Sequence, residues 1–497
     1  MIEFNQYEVW FITGSQTLYG DETLRQVAQN SGEIVRSMNG SGLLPLNVVI
    51  KPTVKSADEV TDIFKAANNS PKCIGIIAWM HTFSPAKMWI SGLNILQLPI
   101  LHFHTQFNRD IPFSTIDMDF MNLNQSAHGD REFGHILTKM KIQRKILVGH
   151  WQSEEVLTQI GMWIRLAIGK HRMNQMKIVR FGDNMRYVAV TDGDKVSAEM
   201  KFGFSVNTHA VGDLVSYIDA VEESSVHSLI EEYEESYQVV PTLLKNGQQR
   251  NALQDAARIE LAISNFLKDG GYHGYTNTFE DLHGMKQLPG IASQRLMHKG
   301  YGFGAEGDWK TAGLLHVMKA MAHGLPGGNS FMEDYTYHFE PGNEMVLGSH
   351  MLEICPSIAE KNIACEIHPL GIGGKEDPVR LVFNAKAGTA LNVSLVDMGH
   401  RFRLILHKVE GVEVKESFPK LPTARALWKS LPSMQIGLQA WLLAGGAHHT
   451  VYSQNLDVNF MKEFGEMLGL ETLVIDENTT IDSFKKDIML NEIYYRP

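Results

Sequence analysis

The chain has 497 residues, which is too long for one hydrophobic core and predicts two to four domains. Hydrophobic residues make up 44% and charged residues 20%, a globular composition that excludes an intrinsically disordered chain. The 45 basic and 56 acidic residues give a formal net charge of −11. This balance argues against nucleic acid or an anionic membrane as the main partner, because both require a basic surface.

The sequence also predicts where the protein works. No apolar run is long enough to cross a bilayer, and the first five residues lack the basic and then apolar pattern of a signal peptide. The three cysteines, Cys73, Cys355 and Cys365, are widely separated and predict no disulfide framework. We therefore expect a cytoplasmic protein.

The first 175 residues alternate between predicted strands and helices. Repeated units of this length predict a parallel, doubly wound sheet, in which ligands bind at the carboxyl ends of strands. The loop 14–20 lies at such an end. Helices are predicted from Glu22, after a capping box at 56–59, and after Ser84 and Pro85 as N-cap and first-turn proline. The predicted strands are residues 9–13, 48–50, 73–78 and 100–104.

A second α/β pattern begins near Met176, and short β-rich runs replace it from about Phe331. Antiparallel barrels and sandwiches are typical of such runs. We expect an α/β protein with two doubly wound Rossmann-like α/β domains, 1–176 and 177–326, followed by a β-rich, antiparallel barrel-like C-terminal domain, 327–497. The predicted elements are strands 178–180, 188–191, 380–384, 391–396 and 402–407, a turn or strand end at 408–412, and helices 251–267, 309–323, 434–444 and 458–468.

Four segments place metal-capable side chains among glycines or small residues. Glu306 precedes a predicted helix, whose dipole favours a carboxylate at that end. Glu333 and His350 lie on two predicted strands, and His448 and His449 follow a glycine turn. Each also has a structural interpretation: a helix cap for Glu306, a solvated or hydrogen-bonded group for Glu333 and His350, and a structural pair for the last two histidines.

If these side chains converge, two carboxylates and one or two imidazoles suit Mn²⁺, Fe²⁺ or Co²⁺. The absence of cysteine from these segments argues against a structural zinc site. Such an ion could hold two neighbouring sugar oxygens and polarise a carbonyl, while a carboxylate moves a proton between C2 and C1. The chain lacks a dinucleotide-binding fingerprint after its first strand, a Walker-type loop and a nucleophile elbow.

Six stretches carry a resemblance to a known family. They are FITGSQTLYG (11–20), NQSAHGDRE (124–132), GAEGDWK (304–310), LGSHMLE (347–353), HPLGIGGK (368–375) and GGAHHT (445–450). With them the sequence resembles the L-arabinose isomerase family along essentially its full length. The resemblance implies three-domain subunits that form a homohexamer, with each site where the N-terminal domain of one subunit meets the later domains of another.

The resemblance also implies the site residues. The metal ligands are expected to be Glu306, Glu333, His350 and His449, with His448 as the alternative fourth ligand and Mn²⁺ as the usual ion. Co²⁺ or Fe²⁺ are possible substitutes. Glu306 and Glu333 are the expected catalytic acid/base pair. His128 is expected to help bind or open the cyclic sugar, unless it is a structural histidine near Arg131. The expected sugar contacts are Gln16, Leu18, Tyr19, Gln125, His128, Met185, Phe279, Met351 and Ile372.

The implied reaction converts L-arabinose to L-ribulose by proton transfer from C2 to C1 through an enediol, as the first step of L-arabinose catabolism. D-Galactose to D-tagatose is the expected side activity, and a metal-assisted hydride shift stays an alternative mechanism. A fucose-type or other aldose is an alternative substrate on the same fold. A sugar-binding or sensor protein without catalysis is the other alternative, but it accounts neither for the paired carboxylates nor for the β-rich final third.

Overall fold

The computed structural model describes Phe4 and residues 6–495. These residues divide into two compact units, one within residues 2–171 and one within residues 172–497. Residues 1–3 and Asn5, which carry most of the signal-peptide prediction, lie outside the described residues. Both the second and the third predicted domain fall within the second unit, called the C-terminal unit below.

The N-terminal unit is built on a five-stranded parallel sheet in the order β2-β1-β3-β4-β5. All eight residues of β3 are buried, as expected for a strand covered on both faces. The order reverses between β1 and β3, and at such a point a crevice opens at the carboxyl ends of the strands. Its elements are β1 (Glu8–Gly14), α1 (Gly20–Gly40), β2 (Asn47–Ile50), α2 (Ala57–Asn69), β3 (Cys73–Met80), α3 (Ile90–Ile95), β4 (Ile100–His104), α4 (Met118–Leu123), α5 (Ser126–Lys139), β5 (Arg144–Val148) and α6 (Glu154–Gln175).

Two predicted helix starts differ in detail from the structure. Ser56 Oγ accepts from the Glu59 N–H at 3.3 Å, but the Glu59 carboxylate accepts from the Lys55 N–H instead of the Ser56 N–H. Ser84 does not cap a helix; its hydroxyl accepts from the indole of Trp89 at 3.0 Å, and the helical turn begins after Pro85.

The C-terminal unit begins with a four-stranded parallel sheet in the order β10-β9-β6-β7. The carboxyl ends of β6, β9 and β10 therefore lie at one edge of this sheet. The elements of this part are β6 (Lys177–Phe181), α7 (Lys195–Phe202), β7 (Ser205–His209), α8 (Val211–Asp219), α9 (Glu223–Ser236), β8 (Gln238–Val239), α10 (Arg250–Gly270), β9 (Gly274–Asn277), α11 (Gly290–His298), β10 (Gly302–Gly304) and α12 (Trp309–Met321).

The predicted strand 188–191 is wrong. Residues Ala189–Thr191 form one turn of 3₁₀ helix. The reason is that the Thr191 carbonyl accepts from the Asn184 amide at 2.7 Å and from the Lys310 ammonium at 2.9 Å, so side chains take the place of a strand partner. A β-branched run alone does not reveal this competition.

A large sheet follows in the same unit, in the order β15-β18-β11-β12-β17-β16-β19, antiparallel except for β16 with β19. β15 also pairs with β16. These pairings do not establish a barrel, so the predicted barrel stays a prediction. A small sheet joins β14 and β13 to β8. The elements are β11 (Asn329–His338), β12 (Met345–Ser349), β13 (Ala364–Ile367), β14 (Val379–Val382), β15 (Gly388–Asp397), β16 (Phe402–Val412), β17 (Arg425–Ser430), α13 (Met434–Leu443), β18 (His449–Ser453), α14 (Val458–Leu468), β19 (Glu471–Ile475) and α15 (Ile481–Tyr494).

Residues 408–412, predicted as a turn or strand end, continue β16, because Val409 to Val412 pair with β17. β12 and β17 approach closely at Gly348, where a Cβ would lie 1.8 Å from the Trp428 ring. Only glycine therefore fits there, one position before the end of the strand that leads to His350.

One hydrophobic core spans the helices and the large sheet of the C-terminal unit. It packs Leu253 of α10 and Ile291 of α11 with Met332 of β11 and Val346 of β12, all of them fully or almost fully buried. This shared core explains why residues 172–497 form one compact unit. Among the described residues, no helix combines the length and the apolarity needed to cross a membrane.

Candidate metal and sugar site

Three adjacent strands of the large sheet carry three of the four predicted metal ligands. Glu333 on β11 is the register partner of His449 on β18 and, on its other side, of Ser349 at the end of β12. His350 directly follows Ser349. Register partners in neighbouring strands present their side chains on the same face, so Glu333 and His449 lie side by side.

The fourth predicted ligand, Glu306, comes from the loop after β10. Its φ of 58° is the left-handed conformation, which is uncommon for a side-chain-bearing residue and is typical of functional sites. Gly307, with φ of 84°, follows it, and a Cβ there would lie 2.5 Å from the Asn184 Cα. This close approach places the loop after β6 against the Glu306 backbone, and the Met185 N–H donates to the Glu306 carbonyl at 3.0 Å.

The carboxylates and imidazoles form a group of three and a neighbouring pair. Glu306 Oε2 lies 3.3 Å from His448 Nε2 and 3.8 Å from His449 Nε2. Glu333 Oε2 lies 3.8 Å from His350 Nε2. The ring centroids of His350 and His449 are 6.5 Å apart, with Phe331 packed edge-on against both. The ligand atoms of Glu306, His448 and His449 all lie within 4.8 Å of one another, while Glu333 and His350 are the adjacent pair.

Two further carboxylates lie behind the imidazoles. The Nδ1 atom of His350 is 2.5 Å from Glu353 Oε2, and the Nδ1 atom of His449 is 3.1 Å from Asp308 Oδ2. Because an ionised carboxylate only accepts, each hydrogen bond places a proton on Nδ1, and Nε2 is the nitrogen left to bind a metal when the ring is neutral. The two Nε2 atoms face Glu333 and Glu306. This arrangement of carboxylate, histidine and open nitrogen is the one that orients metal-binding histidines in proteins.

The electrostatics lower the pKa values of two acidic groups, Glu306 and Asp308. Burial alone would raise the pKa of Glu306, but the hydrogen bond from His448 and the nearby histidines hold it below its ordinary value. Burial would lower the pKa of His350, but Glu353 raises it above its ordinary value. Burial would likewise raise the pKa of Asp308, but Lys310 and His449 hold it well below its usual range.

The residues present fit a divalent cation. His449 is fully buried, and its Nε2 atom has no hydrogen-bond partner although it points toward Glu306. A buried polar atom without a partner is costly, and an electron-pair acceptor between His449 and Glu306 would satisfy it. The mixed oxygen and nitrogen donors match Mn²⁺, Fe²⁺ or Co²⁺ better than Mg²⁺ or Ca²⁺.

The amino-acid sequence of this chain is similar to a known protein family along its length. Family models of the L-arabinose isomerase N-terminal, central and C-terminal domains match residues 3–175, 177–324 and 328–471. L-arabinose isomerase of Salmonella enteritidis PT4 is 55% identical over 496 residues, covering 100% of this chain and 99% of that protein. L-arabinose isomerase of Flavobacterium johnsoniae is 55% identical over 495 residues, with the same coverage. The chain belongs to the L-arabinose isomerase family.

The sugar contacts expected for an L-arabinose isomerase family member lie in both units. In the C-terminal unit, Met185 borders Glu306 and Met351 follows His350. The loop that carries Ile372 lies against Phe279, since a side chain at Gly373 would be 3.6 Å from the Phe279 carbonyl oxygen. These four residues are half-buried.

The other five expected contacts lie in the N-terminal unit, after β1 and at the start of α5. The Gln16 amide donates to the Phe83 carbonyl at 3.0 Å, and the Tyr19 hydroxyl donates to Gln125 Oε1 at 3.4 Å. The His128 ring packs edge-on against Phe83 with 4.7 Å between centroids. These contacts bring Gln16, Tyr19, Gln125 and His128 together at the crevice predicted for this sheet, and Leu18 beside them is 82% exposed.

Asp308 and Glu353 were not predicted, although both lie in stretches that carry the family resemblance. Glu353 follows His350 by three residues, a spacing at which a carboxylate can return to the imidazole. Asp308 gives no such signal, because it lies 141 positions from His449. Only the packing of α12 against β18 joins them.

Proposed function

We propose that this chain is a divalent-metal-dependent aldose–ketose isomerase that converts L-arabinose to L-ribulose. The observation that carries the proposal is the buried, unpartnered Nε2 of His449, which Asp308 orients toward Glu306 beside the Glu333–His350 pair. The family and the names of the relatives support L-arabinose as the substrate.

Glu306, Glu333, His350 and His449 are the proposed metal ligands, with Mn²⁺ the expected ion and Co²⁺ or Fe²⁺ as substitutes. The geometry favours His449 over His448 as the fourth ligand. The Nδ1 of His449 is fixed by Asp308 and its ring is buried, whereas His448 is about one-third exposed and its Nε2 is hydrogen-bonded to Glu306. When bound, the ion supplies Lewis-acid polarisation of the open-chain sugar's carbonyl and of the neighbouring hydroxyl.

The chain's own carboxylates move the proton. In the aldose the C2–H bond breaks and one of Glu306 and Glu333 accepts that proton. The electron pair forms the C1–C2 double bond of an enediolate, while the π electrons of the C1–O1 carbonyl move to O1. The same carboxyl returns the proton to C1, while the O2 proton moves to O1, so the ketose is an isomer and no redox partner is needed. The lowered pKa of Glu306 keeps it in the basic form at neutral pH.

Several finer points of the proposal rest on the family. D-Galactose to D-tagatose is the proposed side activity, and the first step of L-arabinose catabolism is the proposed role. A cytoplasmic location and a homohexamer with sites at subunit interfaces complete the proposal. A shared interface would bring the Gln16 to His128 contacts of one subunit to the metal ligands of another.

The test is a ketose assay on purified protein stripped of metal and then given Mn²⁺ and one sugar at a time. We expect L-ribulose from L-arabinose only with the ion present, and slower formation of D-tagatose from D-galactose. Sugar binding without any ketose would favour the sensor protein. Faster turnover of L-fucose than of L-arabinose would favour the fucose-type alternative.

A further inference from the structure

We infer that Lys310 is a positioning residue. Its single ammonium group holds both the carboxylate of Asp308, which is hydrogen-bonded to His449, and the loop 184–192, which borders Glu306. The inference rests on the proposed function, because it concerns the same metal ligands. Lys310 lies in the GAEGDWK stretch, four positions after Glu306 and two after Asp308.

Lys310 is a buried charge with two hydrogen bonds and one ion-pair partner. The residue is 1% exposed, and a lysine ammonium is costly to bury unless partners satisfy its three N–H groups. It donates to the Asp192 carbonyl at 2.6 Å and to the Thr191 carbonyl at 2.9 Å, and it lies 3.5 Å from Asp308 Oδ1. A residue in α12 thus joins a carboxylate to a distant loop.

The first connection leads to His449. Asp308 is also 1% exposed, and Lys310 is its cationic partner. The other oxygen of the same carboxylate accepts from His449 Nδ1 at 3.1 Å and from the Thr311 hydroxyl at 2.7 Å. Without Lys310, Asp308 would be a buried charge lacking its counterion, and its bond to His449 would lose its fixed geometry.

The second connection leads to Glu306. The Asn184 amide donates to the Thr191 carbonyl, which Lys310 also holds, and to the Gly307 carbonyl at 3.1 Å. One residue later, the Met185 N–H donates to the Glu306 carbonyl. Residues 184–192 are therefore fastened at one end by Lys310 and at the other by the Glu306–Gly307 backbone. Lys310 fixes both sides of the space between Glu306 and His449.

The experiment is a double-mutant cycle read by calorimetric titration of the metal-free protein with Mn²⁺, using Lys310→Met, Asp308→Asn and the double variant. Partners that orient metal ligands are worth about 10- to 100-fold in affinity, and we expect that loss for Lys310→Met. In the Asp308→Asn background the same change should alter affinity by less than about threefold, because the connection through the carboxylate is already lost and only the connection through the loop remains. A merely structural lysine would give equal losses in both backgrounds, which would overturn the inference.

Lys319→Met is the matched control. Lys319 lies in the same helix and also donates to a backbone carbonyl, that of Asn329 at 2.7 Å, but it is not bound to Asp308. We expect its Mn²⁺ affinity to stay within about twofold of the wild type, since it holds no partner of a metal ligand. A loss as large as that of Lys310→Met would contradict a specific role for Lys310.

Hydrogen exchange provides a second readout and covers the case in which Lys310→Met does not fold. Amides in 184–192 should exchange faster in the double variant than in Asp308→Asn, while their Mn²⁺ affinities differ by less than about threefold. The double variant contains neither charge of the Lys310–Asp308 pair, so it leaves neither of them unpaired. Equal exchange, or a tenfold difference in affinity between these two, would overturn the inference. Wild-type protein that binds no Mn²⁺ would overturn the proposed function and this inference with it.

Discussion

Glu353→Gln should weaken Mn²⁺ binding by removing the charge that holds His350 in place. The hydrogen bond from His350 Nδ1 to Glu353 Oε2 is 2.5 Å long and buried. A hydrogen bond to a charged group contributes about 1.5–3 kcal/mol, and a neutral amide acceptor would retain about 1 kcal/mol of this. The remaining loss of about 0.5–2 kcal/mol corresponds to about a 2- to 30-fold higher Kd. Calorimetric titration of the metal-free variant with Mn²⁺ measures it directly.

Glu366→Gln is the matched control, because the chain contains a second pair of the same kind. His368 Nε2 lies 2.6 Å from Glu366 Oε2, and neither residue is among the proposed ligands. This change should leave the Kd within about twofold of the wild type, since it removes no partner of a ligand. An unchanged Kd for Glu353→Gln, with the protein folded, would refute the argument that the carboxylate orients His350.

Three further results are expected. Glu306→Gln and Glu333→Gln should each lower kcat by about 10²- to 10⁴-fold with an unchanged circular dichroism spectrum, and normal rates in both would remove them from the mechanism. EDTA should lower the melting temperature, because an ion at 100 times its Kd stabilises the fold by about 2.7 kcal/mol; an identical melting curve after verified metal removal would count against a bound ion. The hydrogen bond to Asp130 raises the pKa of His104, so its stabilisation is complete below pH of about 6.5 and is lost as the pH rises through the raised pKa. The difference in melting temperature between the wild type and His104→Gln should therefore shrink from about pH 6 to about pH 9, and a constant difference would contradict the pairing.

Local sequence patterns predict those parts of the fold that local interactions decide. The sequence predicts β3, α10 and α14 within a few residues of their observed bounds. The strand predicted at 188–191 failed because Lys310, 119 residues after Thr191, holds that carbonyl. A pattern of β-branched residues contains no information about such a distant donor.

In the candidate site, too, local sequence does not reveal the contacts that form between distant residues. Spacing alone left Glu306, Glu333, His350 and the histidine pair with structural alternatives, and the resemblance to a family selected among them. Asp308 was missed because it meets His449 only after α12 packs beside β18. The choice between His448 and His449 depends on which ring is buried and hydrogen-bonded to Asp308, and that contact joins residues far apart in the sequence.

The shared register of β11 with β18 and β12 has a consequence for how the length of this chain can vary. Inserting or deleting a single residue in β11 before Glu333 would turn its carboxylate to the opposite face and away from His449. The connection 339–344 leaves β11 after His338 and re-enters at β12, so added residues there can be absorbed as a longer hairpin tip. Peptide tags or loop grafts in this enzyme scaffold therefore belong at that tip and not within the three strands.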